Sequence, residues 1–332
     1  MIAARGPAAS NKLPHPGAPA DIIGFMHASS DPPTRACPVC GSSRSRICAR
    51  IDGHALLLCA GCRFRWTPAP APADLERIYA ASYYDGGENP SVYHDGYSAD
   101  MARAQNHARI LDGLEQRGSR GRLLDVGCAY GFFLDSARAR GWDVRGVDLS
   151  AHAVSLARAR LGPCVWHGTV EALPADAGPF DAVTMLDTLE HLPDPVAVLT
   201  AIHRHLRPGG FLFIRTVDGD SLAARWLGPR WPQVKPPEHL VYPAPRHLVL
   251  WLRRSGFTPA RIEWDGGLGL GWRALRTIAP PPPAAGRPVR GIRRRLKAVA
   301  DRLLALCRAT DMVHVYARRE SSAGDRGTGH GP

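Results

Sequence analysis

From residue 121 onward the chain alternates short apolar runs with helical stretches, and this alternation constrains its fold more than any other feature. RLLDVGC (122–128) reads as a strand, and Gly131 to Arg140 as a helix closed by Gly141. DVRGVDLS (143–150) is a second strand, followed by an Ala- and Arg-rich helix over 151–160. CVWHGTV (164–170) is a third and FDAVTMLD (180–187) a fourth; PDPVAVLTAIHRHL is a helix stopped by Pro208-Gly209-Gly210. GFLFIRTV (210–217) is the fifth strand. A strand, a helix and a further strand in repeated succession build an α/β, doubly wound, mainly parallel Rossmann-like sheet. Such sheets bind ligands outside the C-terminal ends of their strands, at the point where strand order reverses. The glycines after the first strand fall at that point. Beyond residue 217 the pattern loosens. A Pro/Trp-rich stretch (ARWLGPRWPQVKPPEHLVYP) precedes the helix PRHLVLWLRRSGF, a short strand near RIEW, and a last strand, MVHVYARR (312–319).

The turn LLDVGCAYGFF (123–133) carries the chemistry. Gly127 and Gly131 let a backbone come close to a ligand, and the helix that follows offers free N–H groups. A pyrophosphate would use those dipoles. The spacing, however, is G-x-A-x-G with Ala129 in the middle, and Asp125 stands at its entrance. A carboxylate there repels a pyrophosphate and attracts an ammonium or a sulfonium. The second strand ends in Asp148, twenty-one residues after Gly127. An acid at that distance accepts hydrogen bonds from vicinal ribose hydroxyls, the competing role being a cap on the following helix. S-adenosyl-L-methionine fits a site that wants a ribose, no pyrophosphate and a cationic end.

The motifs LLDVGCAYGFFL, VDLS, GTVEALP, FDAVTMLDTLEHLPDP and LRPGGFLFIRT occur in the order and spacing of class I S-adenosylmethionine-dependent methyltransferases, and residues 120–320 resemble that family. The resemblance implies a seven-stranded sheet in the order 3-2-1-4-5-7-6, with MVHVYARR as an antiparallel strand 7 and residues 268–311 as an insertion before it. It also implies roles for single residues. Asp125, Gly127 and Gly131 would hold the methionine end, and Asp148 the ribose, with Leu149 against the adenine. Glu171 would lie near the adenine amino group beside Val170, and Asp187 beside the methyl group. Ala129 departs from the commoner glycine and adds one methyl to a close approach. Methyl transfer also calls for a proton acceptor when the receiving atom is a hydroxyl or a ring nitrogen. His191 (in LEHL) and His239 (in PPEHL) are the candidates, each with the blander alternative of a hydrogen-bonded wall residue. PPEHL with its flanking Trp226, Trp231 and Tyr242 is expected to form an acceptor wall or lid, the blander alternative being that these aromatics are core. Tyr79, Tyr83, Tyr84, Tyr93 and Tyr97 are expected in packing, the alternative being that one or two of them line a substrate mouth.

Ahead of this domain, Cys37, Cys40, Cys59 and Cys62 form CPVC-x18-CAGC. Each CxxC makes a knuckle that points two thiolates at one position, and four thiolates suit a tetrahedral structural Zn2+ with no open coordination site. Residues 37–68 are therefore expected to form a small zinc-ribbon-like module, joined by a linker and helices over 69–119. The remaining cysteines (Cys48, Cys128, Cys164, Cys307) lack partner spacing. A cysteine module before a methyltransferase resembles sugar C-methyltransferases and enzymes of natural-product or surface-polysaccharide pathways. That likeness implies a small-molecule acceptor, with O-, N- or C-methylation open.

Composition bears on partners. The net charge is +12, but ten Arg or Lys against two Asp between Arg287 and Arg319 supply +8 of it. That segment includes a basic amphipathic helix over 290–307, which suits a solvated flank, a dimer or acceptor contact, or peripheral contact with a membrane surface. The alternative reading is a methyltransferase acting on RNA or other nucleic acid; the cysteine module is neither strongly basic nor aromatic, which disfavours it. A non-catalytic cofactor-binding regulator is the other alternative. No apolar run approaches the roughly 18 residues that cross a bilayer. The first 36 residues (an expected disordered tail, like 321–332) lack an apolar signal core, so a cytoplasmic location is expected.

Overall fold

The computed structural model describes residues 36–84, 107–118, 120–264 and 310–320. In chain order its elements begin with β1 (Ser45–Ile51), β2 (His54–Cys59) and β3 (Arg65–Trp66), then helices α1 (Pro72–Ile78), α2 (Ala81–Tyr84) and α3 (His107–Glu115). The α/β part follows: β4 (Arg122–Val126), α4 (Phe132–Ala139), β5 (Asp143–Asp148), α5 (Ala151–Leu161), β6 (Val165–His167) and β7 (Phe180–Leu186). It continues through α6 (Pro195–His205), β8 (Leu206–Val217), α7 (Leu222–Leu227), β9 (Val241–Tyr242), α8 (Pro245–Arg254), β10 (Phe257–Trp264) and β11 (Met312–Arg319).

The large sheet has seven strands in the order β10-β11-β8-β7-β4-β5-β6. Counted along the α/β part, this is the order 3-2-1-4-5-7-6 that the resemblance implied. β4 pairs in parallel with both β5 and β7, so strand order reverses at β4. β11 runs antiparallel to β8 and β10 antiparallel to β11. β4, buried on both faces, reads as a continuous apolar run broken only by Asp125, as a central parallel strand must. α6 starts where Asp194 accepts hydrogen bonds from Val196 N–H and Ala197 N–H, with Pro195 supplying the preset φ of a first helical residue. α5 is capped by Ser150, whose hydroxyl accepts from Ala153 N–H. β8 begins at Leu206, four residues earlier than the glycine pair suggests, because the chain enters the sheet directly from α6.

The cysteine-bearing strands do not stand apart. β1, β2 and β3 form an antiparallel sheet whose fourth strand is β9, from the segment after β8. Cys37, Val39, Cys59, Phe64 and Trp66 share one buried cluster with Val183, Leu248, Trp251 and Leu252. Phe64 stacks on Trp66 with ring centroids 5.8 Å apart and meets Trp251 edge-on at 5.4 Å. A two-strand hairpin with a two-residue third strand cannot bury enough apolar surface alone. It borrows the core of the α/β part. The basic helix expected over 290–307, Cys307, Tyr93 and Tyr97 lie outside the described residues. Among the described residues no helix is long and apolar enough to cross a membrane.

Candidate active site and cysteine cluster

A cleft of about 470 Å³ opens at the C-terminal ends of β4, β5 and β7. Its wall begins at the turn after β4. Gly127 adopts φ 76°, and a Cβ there would sit 2.4 Å from Thr188 Oγ1. Gly131 adopts φ 77° as the residue before α4, and a Cβ there would sit 2.6 Å from Leu161 Cδ1. The space beside both glycines is thus filled by the protein itself. Only Gly127 borders the cleft, and Gly131 serves the turn and its packing against α5. Ala129, at φ 45°, tolerates the left-handed conformation and also borders the cleft.

Two buried acids frame this turn. Asp125 is 2% exposed and accepts a 2.6 Å hydrogen bond from the Thr184 hydroxyl of β7. Burial pushes its pKa up to about 7, with the nearby Asp148 charge adding to the rise. Asp148 accepts from Ala129 N–H (2.8 Å) and from Ser150 N–H (2.9 Å), tying the turn to the end of β5. Burial raises its pKa too, against those two hydrogen bonds. The cap of α5 is therefore Ser150, and the Asp148 side chain spans the two loops. Leu149, Val170 and Glu171 continue the cleft wall, with Val170 buried and Glu171 exposed.

Opposite them, Asp187 follows β7 at φ 53° and pairs with Arg215 of β8 at 2.9 Å. His191 borders the cleft; its Nδ1 donates to the Glu238 carbonyl at 2.8 Å, and the Tyr79 hydroxyl lies 3.0 Å from the same nitrogen. A carbonyl only accepts, so Nδ1 carries the proton and Nε2 keeps its lone pair. Burial lowers the His191 pKa to about 4, which keeps the ring neutral at ordinary pH. His239 lies behind it, edge-on with ring centroids 4.8 Å apart, and its Nδ1 donates to the Gln233 carbonyl at 2.8 Å. Burial also drives His239 well below the usual histidine range. Next to them Glu190 is buried and accepts from the Thr216 hydroxyl at 2.7 Å. Burial raises it to about 8, with the neighbouring Asp187 charge acting in the same direction.

Tyr79, Tyr83 and Tyr84 all line the cleft, more of the tyrosine cluster than expected. The expected aromatic acceptor wall does not form. Trp231 and Tyr242 are core residues, the Trp231 indole N–H donating to Asp311 at 2.9 Å and the Tyr242 hydroxyl to the His239 carbonyl at 2.8 Å. Trp226 is 87% exposed and lies outside the cleft. Thr184, Thr188, His107 and Arg215 escaped the sequence reading. Arg215 alone left a signal, a charge inside the apolar run of β8.

The four cysteines of the N-terminal hairpin converge. Cys37 Sγ lies 3.6 Å from Cys62 Sγ, and Cys40 Sγ 3.6 Å from Cys59 Sγ, with all four sulfurs within 4.8 Å of one another. Tetrahedral Zn–S bonds of about 2.3 Å place sulfurs about 3.8 Å apart, so this donor set fits such an ion.

Comparison with known proteins follows the same lines. The family model described as a methyltransferase domain matches residues 99–261. The ubiquinone biosynthesis O-methyltransferase of Aromatoleum aromaticum is 32% identical over 169 residues, which span 47% of this chain and 70% of that protein. The enzyme of the same name from Xanthomonas axonopodis is 36% identical over 157 residues, 43% of this chain and 64% of that protein. For the one from Thiobacillus denitrificans, the match spans about half the relative, 46% of its length, at 39% identity and 30% of this chain. Among solved structures, magnesium protoporphyrin IX methyltransferase from Synechocystis PCC 6803 aligns with a TM-score of 0.49 and 15% identity, over 75% of this chain and 100% of that chain.

Proposed function

Because the chain belongs to the class I S-adenosylmethionine-dependent methyltransferases, we propose that its cleft transfers a methyl group from that cofactor to a hydroxyl of a small-molecule acceptor, with His191 as the proton acceptor. The observation that carries this reading is one cavity bordered on one side by Asp125, Gly127, Ala129, Asp148, Leu149, Val170 and Glu171, and on the other by Asp187, His191 and Tyr79. The names of the curated relatives support O-methylation of a small molecule, and a sugar or natural-product intermediate remains within that class.

When bound, the cofactor supplies a methyl group already activated by a sulfonium. The residues of the chain then have three tasks. Asp125 would take the ammonium of the methionine end, beside the backbone of Gly127, which borders the cleft. Asp148 would accept from the ribose hydroxyls through lone pairs its two backbone partners leave unused, Leu149 and Val170 would flank the adenine, and Glu171 would accept from its amino group. Asp187, held by Arg215, would border the methionine part. His191 would act on the acceptor side: neutral, with Nδ1–H fixed on a carbonyl, it would take the acceptor hydroxyl's proton on Nε2. His239 lies behind His191 and fixes its orientation by edge-on packing. The four cysteines would hold a structural Zn2+, a role supported by the convergence of their sulfurs.

The test uses cofactor carrying a 13C-labelled methyl group with panels of phenolic and sugar hydroxyl acceptors. A methyl ether should form, and His191→Ala should slow it by about 10² to 10⁴ while S-adenosylhomocysteine affinity stays within a factor of about two. Labelling of RNA in place of every small hydroxyl compound would overturn the reading.

A further inference from the structure

We infer that the cysteine hairpin is a positioning device for the His191–His239 pair, acting through the β3–β9 pairing. This rests on the function proposed above for His191 and on the reading of the four cysteines as a zinc site. The connection can be followed bond by bond. Cys59 N–H donates to the Phe64 carbonyl at 2.9 Å, and Arg63 N–H to the Cys59 carbonyl at 3.1 Å, so the knuckle leads straight into β3. β3 pairs antiparallel with β9, Arg65 opposite Tyr242 and Trp66 opposite Val241, and Thr67 N–H extends the ladder to the Leu240 carbonyl at 2.8 Å. On its other side Leu240 donates N–H to the Glu190 carbonyl at 2.7 Å. Residues 238–242 therefore lie between the cysteine hairpin and the segment 190–191.

Residues 238–242 orient the His191 ring and hold the main chain at His239, whose own ring is fixed by the Gln233 carbonyl. The Glu238 carbonyl receives the His191 Nδ1–H, and the Tyr242 hydroxyl donates to the His239 carbonyl. β9 is only two residues long, and a strand that short holds its place through its partner. Its partner β3 is held in turn by the knuckle, by Phe64 packed in the common core, and by Arg65, which donates to the Gly219 carbonyl at 2.6 Å. Two further bonds fasten the hairpin to α8: His247 Nε2 donates to the Cys62 carbonyl at 3.1 Å, and Arg254 to the Val39 carbonyl at 2.7 Å. The cofactor end of the cleft, by contrast, is built on β4, β5 and β7, none of which pairs with the hairpin. Loss of the knuckle should therefore disturb the acceptor side and spare cofactor binding. In this arrangement the hairpin is a strut under the proton acceptor, and Thr67 and Leu240 are positioning residues.

Two variants of the full-length protein test this, Cys62→Ser at the knuckle and Thr67→Pro at the ladder. The second removes one N–H and leaves all four cysteines in place. Zinc content, S-adenosylhomocysteine affinity by calorimetry, and the ring nitrogen resonances of His191 and His239 are measured in each. Thr67→Pro should keep one zinc per chain and cofactor-product affinity within about twofold, yet shift or broaden the His191 ring signals away from their fixed Nδ1–H pattern, with any change at His239 following from its ring packing on His191. Unchanged ring signals in Thr67→Pro would overturn the inference, whatever Cys62→Ser does. Equal loss of product affinity in Thr67→Pro would also overturn it, by showing that the ladder supports the whole fold and not the acceptor side. Failure of the underlying readings looks different. Native protein without zinc removes the metal reading, and undiminished methyl transfer by His191→Ala removes the base reading, while the ring signals of Thr67→Pro still decide the strut.

Discussion

Asp125 and Asp148 are buried acids on neighbouring strands, and they differ in what meets them. Asp148 accepts two backbone N–H groups, whereas the hydrogen bond recorded for Asp125 is one hydroxyl. Without a cationic ligand Asp125 is costly to ionise. Its pKa, raised from the ordinary carboxyl range to about 7, means that its contribution to stability is fully present below the unfolded value near 4. That contribution is lost as pH rises through 7. Asp125→Asn should therefore raise the Tm of the ligand-free protein at pH 8, by roughly 5 °C, while abolishing measurable S-adenosylhomocysteine binding. A lower Tm at pH 8 would contradict this. His191 has the opposite sign: its folded pKa of about 4 lies below the unfolded value near 6.5. Its contribution is present above pH 6.5 and fades as pH falls toward 4, so thermal melts of His191→Asn should show a shallower acid loss than wild type. Asp148→Asn should weaken S-adenosylhomocysteine binding by about tenfold or more, the scale of one charge-assisted hydrogen bond, as read by calorimetry. The acids were legible in the sequence because each ends an apolar run. Thr188 was not, because the Val126 carbonyl it donates to lies on another strand, and Arg215 showed only as a charge inside the apolar run of β8, its partner Asp187 coming from the end of β7. Trp231 and Tyr242 stayed between core and acceptor wall because an aromatic near a conspicuous histidine looks the same in the sequence whether it faces a core or a cleft.

At the scale of elements, the parallel strands and their helices were readable from period and punctuation, and so was the antiparallel end of the sheet through its resemblance to a known family. β9 was not. Val241 and Tyr242 become a strand because β3 supplies the edge, and a pairing between distant short segments leaves no local pattern. The glycines of the first turn were found for a partly mistaken reason. Gly131 is needed for its φ of 77° and for Leu161, which occupies the space a side chain would take. Gly131→Ala should cost about 1–3 kcal/mol in denaturant unfolding. Adding Leu161→Ala should fail to restore wild-type stability, because the backbone strain persists and a cavity replaces the clash. Restoration by the second change would show that sterics alone fix this residue.

Among the described residues, one core runs from Cys37 and Cys59 to the middle of the sheet, with Cys62 packed against it, so metal and fold should be linked. Metal analysis should find one zinc per chain, and a chelator should lower the Tm, since metal affinity becomes folding free energy when the site forms only in the folded state. A second bound metal would point instead to Glu190, His191 and His239, whose donor atoms lie within 4.8 Å of one another, and would contradict the proton-acceptor role of His191. The central claim is that the cleft holds a cofactor whose cationic end rests on Asp125. Calorimetric titration with S-adenosylhomocysteine near pH 6.5, repeated in buffers of different ionisation enthalpy, tests it most directly. Asp125, mostly protonated at that pH when empty, should lose its proton to bulk solvent as the ammonium docks. The account predicts one-to-one binding with release of a fraction of a proton, and affinity that rises with pH through 7. Binding with no proton release and no pH dependence across that range, or no binding at all, would contradict it.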